Sequence, residues 1–364
     1  MDLLRILYIG DGNSQTTSFQ RYAALGRLGH SVRLVSEVEF IPRVNRVVGK
    51  LHFLSGYRYL QTTIQKNLLH SIENNLGNSS ADLVWVDCGW WCGPRDIKLL
   101  KSYSPRVILF NIDDPTGPRE PYFWHSLRSA ANQFSTVFTV REETKCDFEK
   151  LGCPQVARIW RGYDEVAHAP NRVTGSSVDH LSSDVALIAT CMEDRPEFAK
   201  DLIDMGVPLS IWGNGWQACR NWKTIKKHFR GRALENQAYV TAVENSKLCL
   251  GVLSKGNRDQ HTQRSSEIPF ANGVLCAERT PEHERMFPNG EALLWKDSRE
   301  CADIVLASLH QPLLLEDLRR RGRQRIIDLG LGNETLLENC LRIAVSNEAS
   351  LTNQDLLLSK ADIV

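Results

Sequence analysis

The sequence has no Cys-x-x-Cys pair. Its ten cysteines are scattered; Cys88 and Cys92 stand four apart, and Cys146 and Cys153 seven apart. Structural zinc sites are built from closer pairs, so no metal centre is expected. A chain of 364 residues buries enough core to fold without disulfides. The thiols are therefore read as reduced and mostly buried, in a cytoplasmic protein. No uncharged apolar run reaches the length of a membrane span. A secretory leader is not expected either, because Met1-Asp2-Leu3-Leu4-Arg5 sets an acid and a base directly before a short apolar run. Net charge is nearly absent, at +1, which excludes nucleic-acid binding through bulk charge. One lack is local. Residues 40–72 contain no Asp or Glu, while Arg43, Arg46, Lys50, Arg58 and Lys66 all fall there.

What is present is alternation. Residues 4–10 read as a buried strand that ends in the turn Gly10-Asp11-Gly12-Asn13-Ser14. Phe19, Tyr22, Leu25 and Leu28 share one helical face, and Gly29 stops that helix before a strand over 30–35. This is a βαβ unit, the building block of parallel sheets. Further strands are expected over 81–87, 106–111, 136–140 and 156–160. A polar, turn-rich stretch over 174–184 reads as a linker. The alternation then restarts, with strands over 185–189, 208–213, 247–252, 274–277 and 293–295. Amphipathic helices over 299–309, 313–329 and 334–345 follow. The expected fold is α/β, with two Rossmann-like, doubly wound parallel-sheet domains facing across a cleft. The expected boundaries are 1–170, a linker 171–183, a second domain 184–345 and a tail 346–364.

In open α/β sheets, ligands bind beyond the carboxyl ends of the strands. Four places meet that condition. Gly10, Gly12 and Asn13 form a turn before a helix, where a phosphate or an acceptor can approach the main chain; the other reading is a plain βα turn, since Gln15 breaks a G-x-G-x-x-G pattern. Asp113 and Asp114, before Pro115, can take a proton or hold sugar hydroxyls, or simply shape a turn. Gly213 and Gly215 lie between Trp212 and Trp216, giving either a close approach for a ligand or a tight turn with two core tryptophans. Arg264 and Glu267 lie one helical turn apart after a polar loop. They suit phosphate and ribose, or form a surface ion pair.

The segment Ser265-Ser266-Glu267-Ile268-Pro269-Phe270-Ala271-Asn272-Gly273-Val274-Leu275, followed by Ala277-Glu278, resembles a signature of the CgeB-like glycosyltransferases. These belong to the GT-B class, near the group 1 (GT4-like) enzymes. Phe287, Gly290 and Glu291 resemble the stretch that follows in that group. Arg195, Ile211-Trp212-Gly213 with Trp216, and Phe229-Arg230-Gly231 are similar to its other second-domain elements. Asp113-Asp114-Pro115 and the run from Val137 through Gly162-Tyr163-Asp164 resemble its first domain.

The resemblance implies a GT-B fold with C-terminal helices packing back toward the first domain. It also implies a transferase that moves a sugar from a nucleotide-sugar donor to a glycan, lipid-linked or protein acceptor, in bacterial surface polysaccharide or glycoconjugate synthesis. It assigns Glu267 to the donor ribose. Arg195, with Lys255 or Arg264, would neutralise the diphosphate, and the loops at Gly213 and Gly231 would bracket the base. No metal and no cofactor are implied, since basic residues do the work of a cation. Asp113, Asp114 and Asp11 are the candidate bases if the sugar inverts. Asp259 stands where the GT4 enzymes carry a Glu, and Ser266 where the group carries Phe, so the stereochemical outcome stays open. The basic stretch 40–72 reads as a contact with the inner face of a membrane or as a solvated helix face. The rival from another class is a non-catalytic nucleotide-sugar-binding protein on the same scaffold.

Overall fold

The computed structural model describes residues 2–77, 79–171, 178–192 and 194–345. These form two compact units. The first holds the described residues up to Trp160, with Gly256–Arg258 and the chain from Asn333; the second holds Arg161–Lys255 and Asp259–Gly332. Residues 172–177 of the linker expected over 171–183 and all of the tail over 346–364 lie outside the described residues.

The first unit begins β1 (Arg5–Gly10), α1 (Thr17–Arg27), β2 (Ser31–Ser36) and α2 (Glu37–Phe40). Two helices cross the basic stretch, α3 (Arg46–Leu54) and α4 (Gln61–Leu76). Then come β3 (Leu83–Asp87), α5 (Pro94–Leu100), β4 (Val107–Asn111), α6 (His125–Ala130), β5 (Thr136–Thr139), α7 (Glu142–Lys150) and β6 (Val156–Arg158). The strands lie in the order β2-β1-β3-β4-β5-β6, and every pairing is parallel. β3 and β4 are buried at every position, so up to their last residues, Asp87 and Asn111, they read as continuous apolar runs rather than alternating ones.

Tyr8, Trp85, Phe110 and Phe138 line up from strand to strand, with ring centroids 6.1 Å apart for the stacked pair Tyr8–Trp85, 5.3 Å for the stacked pair Trp85–Phe110 and 6.4 Å for the tilted pair Phe110–Phe138. Such pairs add about 0.5–1.5 kcal/mol each beyond the area they bury. Beside this ladder, Arg21 of α1 grips Asp87 with two bonds of 2.7 and 2.8 Å, and the Tyr8 hydroxyl donates to the same carboxylate at 2.7 Å. The pair is buried, so it ties α1 to the end of β3 at the cost of desolvating both charges.

The second unit runs β7 (Ser183–Ile188), α8 (Arg195–Asp204), β8 (Leu209–Trp212), α9 (Trp222–Ile225), β9 (Phe229–Gly231), α10 (Asn236–Glu244) and β10 (Ser246–Gly251). It continues α11 (Arg264–Phe270), β11 (Leu275–Glu278), α12 (Pro281–Met286), β12 (Leu293–Trp295), α13 (Ser298–Leu309) and α14 (Pro312–Asp328). Its sheet is also six-stranded and parallel, ordered β12-β11-β10-β7-β8-β9. Of the C-terminal helices, α15 (Asn333–Val345) alone belongs to the first unit, where it packs on α1 and Glu334 meets Arg27 at 2.6 Å. Arg320 of α14 is exposed, while Arg319, Arg321, Arg323 and Arg325 are half-buried. Arg323 donates to the Phe270 carbonyl at 3.1 Å and Arg325 to that of Met286 at 2.8 Å, pinning two neighbouring segments.

Candidate functional site

Counted along the second unit, the strand order is 6-5-4-1-2-3. The chain direction of the crossovers reverses between β7 and β10, and a crevice opens at such a reversal, beyond the carboxyl ends of the strands. Arg195 stands there, at the start of α8. Its guanidinium donates to the Thr190 carbonyl at 2.9 Å, just past β7, and to the Leu253 carbonyl at 3.0 Å, just past β10. The side chain therefore spans the reversal and is fixed by main chain on both sides. Arg195 and Lys255 line one cavity of about 260 Å³, together with Phe198, Glu278, Trp295 and Ser298. Lys255 lies 3.2 Å from Asp194 and 3.7 Å from Glu278. Burial pushes the Glu278 carboxyl above its usual value against the pull of Lys255. A larger cavity of about 590 Å³ lies at the opposite edge, lined by Ser183, Ser210, Lys227, Arg230 and Lys247 near the amino ends of the strands. Helices do not begin at that edge of a doubly wound sheet, so the cavity lacks the loops that carry ligands.

The β8 turn is knitted to the end of β7. Gly213 donates to the Gly231 carbonyl at 3.0 Å, which sets these two glycines side by side. Trp216 donates to the Ala189 carbonyl at 2.7 Å, and both tryptophans are core residues. Gly213 has φ +150, and a Cβ there would meet the Ala189 carbonyl oxygen at 1.9 Å. Glycine is thus required by a close approach of two loops.

Arg264 and Glu267 form a second group, absent from the lining of the Arg195 cavity. They are not a surface pair. Glu267 is buried, bonded on one oxygen by Arg264 and approached on the other by His168 Nε2 at 3.3 Å. The Arg264 guanidinium lies over the Tyr239 ring, 4.1 Å from its centroid. Nearby, Ser265 Oγ meets His283 Nε2 at 2.7 Å, and burial lowers the His283 pKa to about 4, so this imidazole is neutral near neutrality. Asp259 is paired with Arg161 at 3.1 Å.

In the first unit the strand order reverses between β1 and β3. The turn after β1 uses its own donors. Asp11 N–H donates to Ser18 Oγ, Gly12 N–H to Ser36 Oγ and Asn13 N–H to Asp11 Oδ1, at 3.1, 3.1 and 2.9 Å. A Cβ on Gly10 would meet Ser18 Oγ at 2.5 Å, and one on Gly12 would meet Ser36 Oγ at 2.6 Å. In this conformation Gly10 and Gly12 serve packing, and the amides of Asp11, Gly12 and Asn13 are engaged within the turn and its neighbours rather than presented to a phosphate. Asp114 is buried against Arg258, 2.8 Å from its Nε, and against Thr144 Oγ1 at 2.9 Å. Burial raises its pKa, but the bonds from Arg258 and Thr144 and the charge of Arg141 win, and it lies below the usual value. A carboxylate so held is a poor proton acceptor. Asp113 and Asp11 are half-buried; Asp113 Oδ2 lies 3.3 Å from Cys88 Sγ.

The carboxyl that stands out was not among the sequence candidates. Glu37, directly after β2, accepts from the indole N–H groups of Trp90 at 3.1 Å and Trp91 at 3.2 Å, in the loop after β3. Since β1 lies between β2 and β3, these contacts bring Glu37 and the indoles together across the carboxyl end of β1. Burial pushes its pKa up to about 7; the charges of Asp87 and Asp11 add to this and the two indoles oppose it. Just before the indoles, Cys88 and Gly89 both turn left-handed, with φ 62 and 68. Such strain in a non-glycine residue costs on the order of 1–3 kcal/mol and gathers at functional sites.

Residues 195–329 match the model of a family described as glycosyl transferase-like. No curated protein matches the chain. Among solved structures, sucrose-phosphate synthase from Thermosynechococcus elongatus is similar at TM-score 0.66 and 10% identity, over 93% of this chain and 98% of that one. The UDP-forming α,α-trehalose-phosphate synthase from Burkholderia vietnamiensis is similar at TM-score 0.61 and 10% identity, over 93% and 99%. Anabaena HepE, in complex with UDP-glucose, is similar at TM-score 0.60 and 12% identity, over 93% and 99%. The fold is GT-B. At these identities the likeness carries the fold alone, and the GT-B scaffold hosts more than one activity. The family match adds a glycosyltransferase-like second unit, and it begins at Arg195.

Proposed function

We propose that the protein is a glycosyltransferase. It takes a sugar from a nucleotide-sugar donor bound by the second unit and passes it to a glycan, lipid-linked or protein acceptor, without a metal ion. The observation that carries this reading is Arg195, fixed across the β7–β10 reversal of a GT-B sheet. As the sugar–phosphate bond breaks, negative charge grows on the departing diphosphate. A guanidinium already held by two carbonyls meets that charge without reorganising, so it favours the transition state. Lys255 lines the same cavity and supplies a second cation. Glu267, buried between Arg264 and His168, is the carboxylate for the donor ribose.

On the acceptor side Glu37, Asp113 and Asp11 are half-buried carboxyls beyond the carboxyl ends of the first sheet's strands, and Glu37 has the proton affinity that suits a general base near neutrality. A uridine diphosphate sugar is the first donor to try, because HepE is bound to UDP-glucose and the trehalose-phosphate synthase is UDP-forming. Membership of the CgeB-like group, with a role in bacterial polysaccharide or glycoconjugate synthesis, rests on residues 265–278. A cytoplasmic place at the inner face of a membrane accords with ten free cysteines. No helix among the described residues is long and apolar enough to cross a membrane.

The test is release of UDP from UDP-sugars by the purified protein. Release above background that falls at least tenfold in Arg195→Gln, about 1.4 kcal/mol of barrier, supports the assignment. A second reading, a nucleotide-sugar-binding protein without turnover, is favoured by the engagement of Lys255 with Asp194 and Glu278. It predicts binding of the donor with no release.

A further inference from the structure

The basic stretch of the first unit contains a helix with an unusual face. No residue of α3 is fully buried. Val47, Leu51 and Leu54 are 74%, 63% and 52% exposed, and their i, i+4, i+7 spacing lines them up on one side. Val44, just before the helix, and Tyr59, just after it, extend the exposed apolar surface at 40% and 73%. The opposite side holds the helix down, with Phe53 stacked on Phe123 at 4.7 Å. Asn45 caps the first turn by accepting from Val48 N–H at 3.0 Å. Arg46 and Lys50 fall beside the apolar line, and Arg43 and Arg58 bracket the helix; all four are exposed. Residues 40–72 hold no acid to neutralise them. Glu39, at the margin, is already engaged by the Ser36 amide and by Asn75.

We infer that α3 is a membrane-docking helix that lays Val47, Leu51 and Leu54 into the interface of a bilayer while Arg43, Arg46, Lys50 and Arg58 contact its anionic headgroups. An apolar face flanked by cations on a short helix is the pattern of an interfacial helix. The charge complementarity selects a negatively charged lipid surface over an apolar protein partner, since each basic residue near such a surface adds to binding and none of these four has an ion-pair partner among the described residues. The inference deepens the inner-membrane location proposed above and does not depend on any donor or acceptor.

The experiment is co-sedimentation of the full chain, without nucleotide, with vesicles of phosphatidylcholine alone or with phosphatidylglycerol added. The expected result is binding to the phosphatidylglycerol vesicles that weakens with salt and is much weaker on phosphatidylcholine alone. Arg46→Glu/Lys50→Glu should weaken it by at least about tenfold, and Val47→Asp/Leu51→Asp should abolish it. All four residues are exposed, so both variants should keep the thermal midpoint of the parent. Equal binding to both vesicle types, no binding by the parent, or binding unchanged in both variants would overturn the inference. So would a parent dimer in light scattering that Val47→Asp/Leu51→Asp makes monomeric, because the face would then be covered by a second copy. A failure of any of these kinds leaves donor binding untouched and is read separately from it.

Discussion

Glu37 holds its carboxyl between two indole N–H groups, beside the charges of Asp87 and Asp11. Its pKa rises from 4.5 to about 7, so the native state keeps this proton more tightly than the unfolded chain does. Stability from this group is therefore full below the unfolded value and falls as pH rises between the two. Glu37→Gln removes the titration. Its stability relative to the parent should improve by on the order of 2 kcal/mol between about pH 5 and about pH 8, read from urea unfolding at each pH. A constant difference across that range would show that the carboxyl is not held protonated. If Glu37 is also the acceptor-side base, the same substitution lowers kcat and removes the rise of activity through about pH 7 while donor binding stays. Sequence reading could not find this residue. Its proton affinity is made by Trp90 and Trp91, 53 and 54 positions away, and nothing local to Glu37 signals them. The Arg264–Glu267 spacing was legible, yet its burial depends on His168 and Tyr239, which lie on other segments.

At the scale of elements, the strands were the most legible part. Continuous apolar runs such as residues 83–86 and 107–110 mark strands covered on both faces, and glycines such as Gly29 mark helix stops. In the basic stretch a helix face was one of two readings, without bounds. In α4, Ile64, Leu68 and Ile72 recur every fourth position and are buried, a spacing that attention to charge passes over. The turn after β8 shows what a glycine in such a place is for. Gly213→Ala places a methyl group 1.9 Å from the Ala189 carbonyl oxygen at a backbone angle that side chains rarely adopt. It should destabilise the protein by more than about 2 kcal/mol, since both strain and a steric clash act at once. Gly290→Ala is the comparison: φ is also positive, at +72, but nothing lies within 4 Å of the new Cβ, so the loss should be smaller. Equal losses in the two variants would remove the close approach of the β7 and β8 loops as the cause.

For the molecule as a whole, both sheets reverse strand order once, between β1 and β3 in the first unit and between β7 and β10 in the second. That reversal puts the chemistry-bearing loops at one edge of each sheet, and in the second unit Arg195 stands at it, bonded to main chain past β7 and β10. The two-sheet α/β architecture was readable from the alternation of strands and helices. The return of α15 to the first unit was expected from the family resemblance and has no local signal in the sequence. The central claim is that the second unit binds a nucleotide-sugar donor at Arg195. The direct measurement is a thermal-shift titration of UDP-, GDP-, dTDP- and CMP-sugars against the parent, Arg195→Gln and Glu267→Gln. One nucleotide class should raise the parent midpoint by several degrees, with about 2.7 kcal/mol of added stability at a hundredfold excess over Kd, and both variants should lose most of that shift. No shift with any donor in the folded parent, or a shift of the same size in both variants, would contradict the assignment.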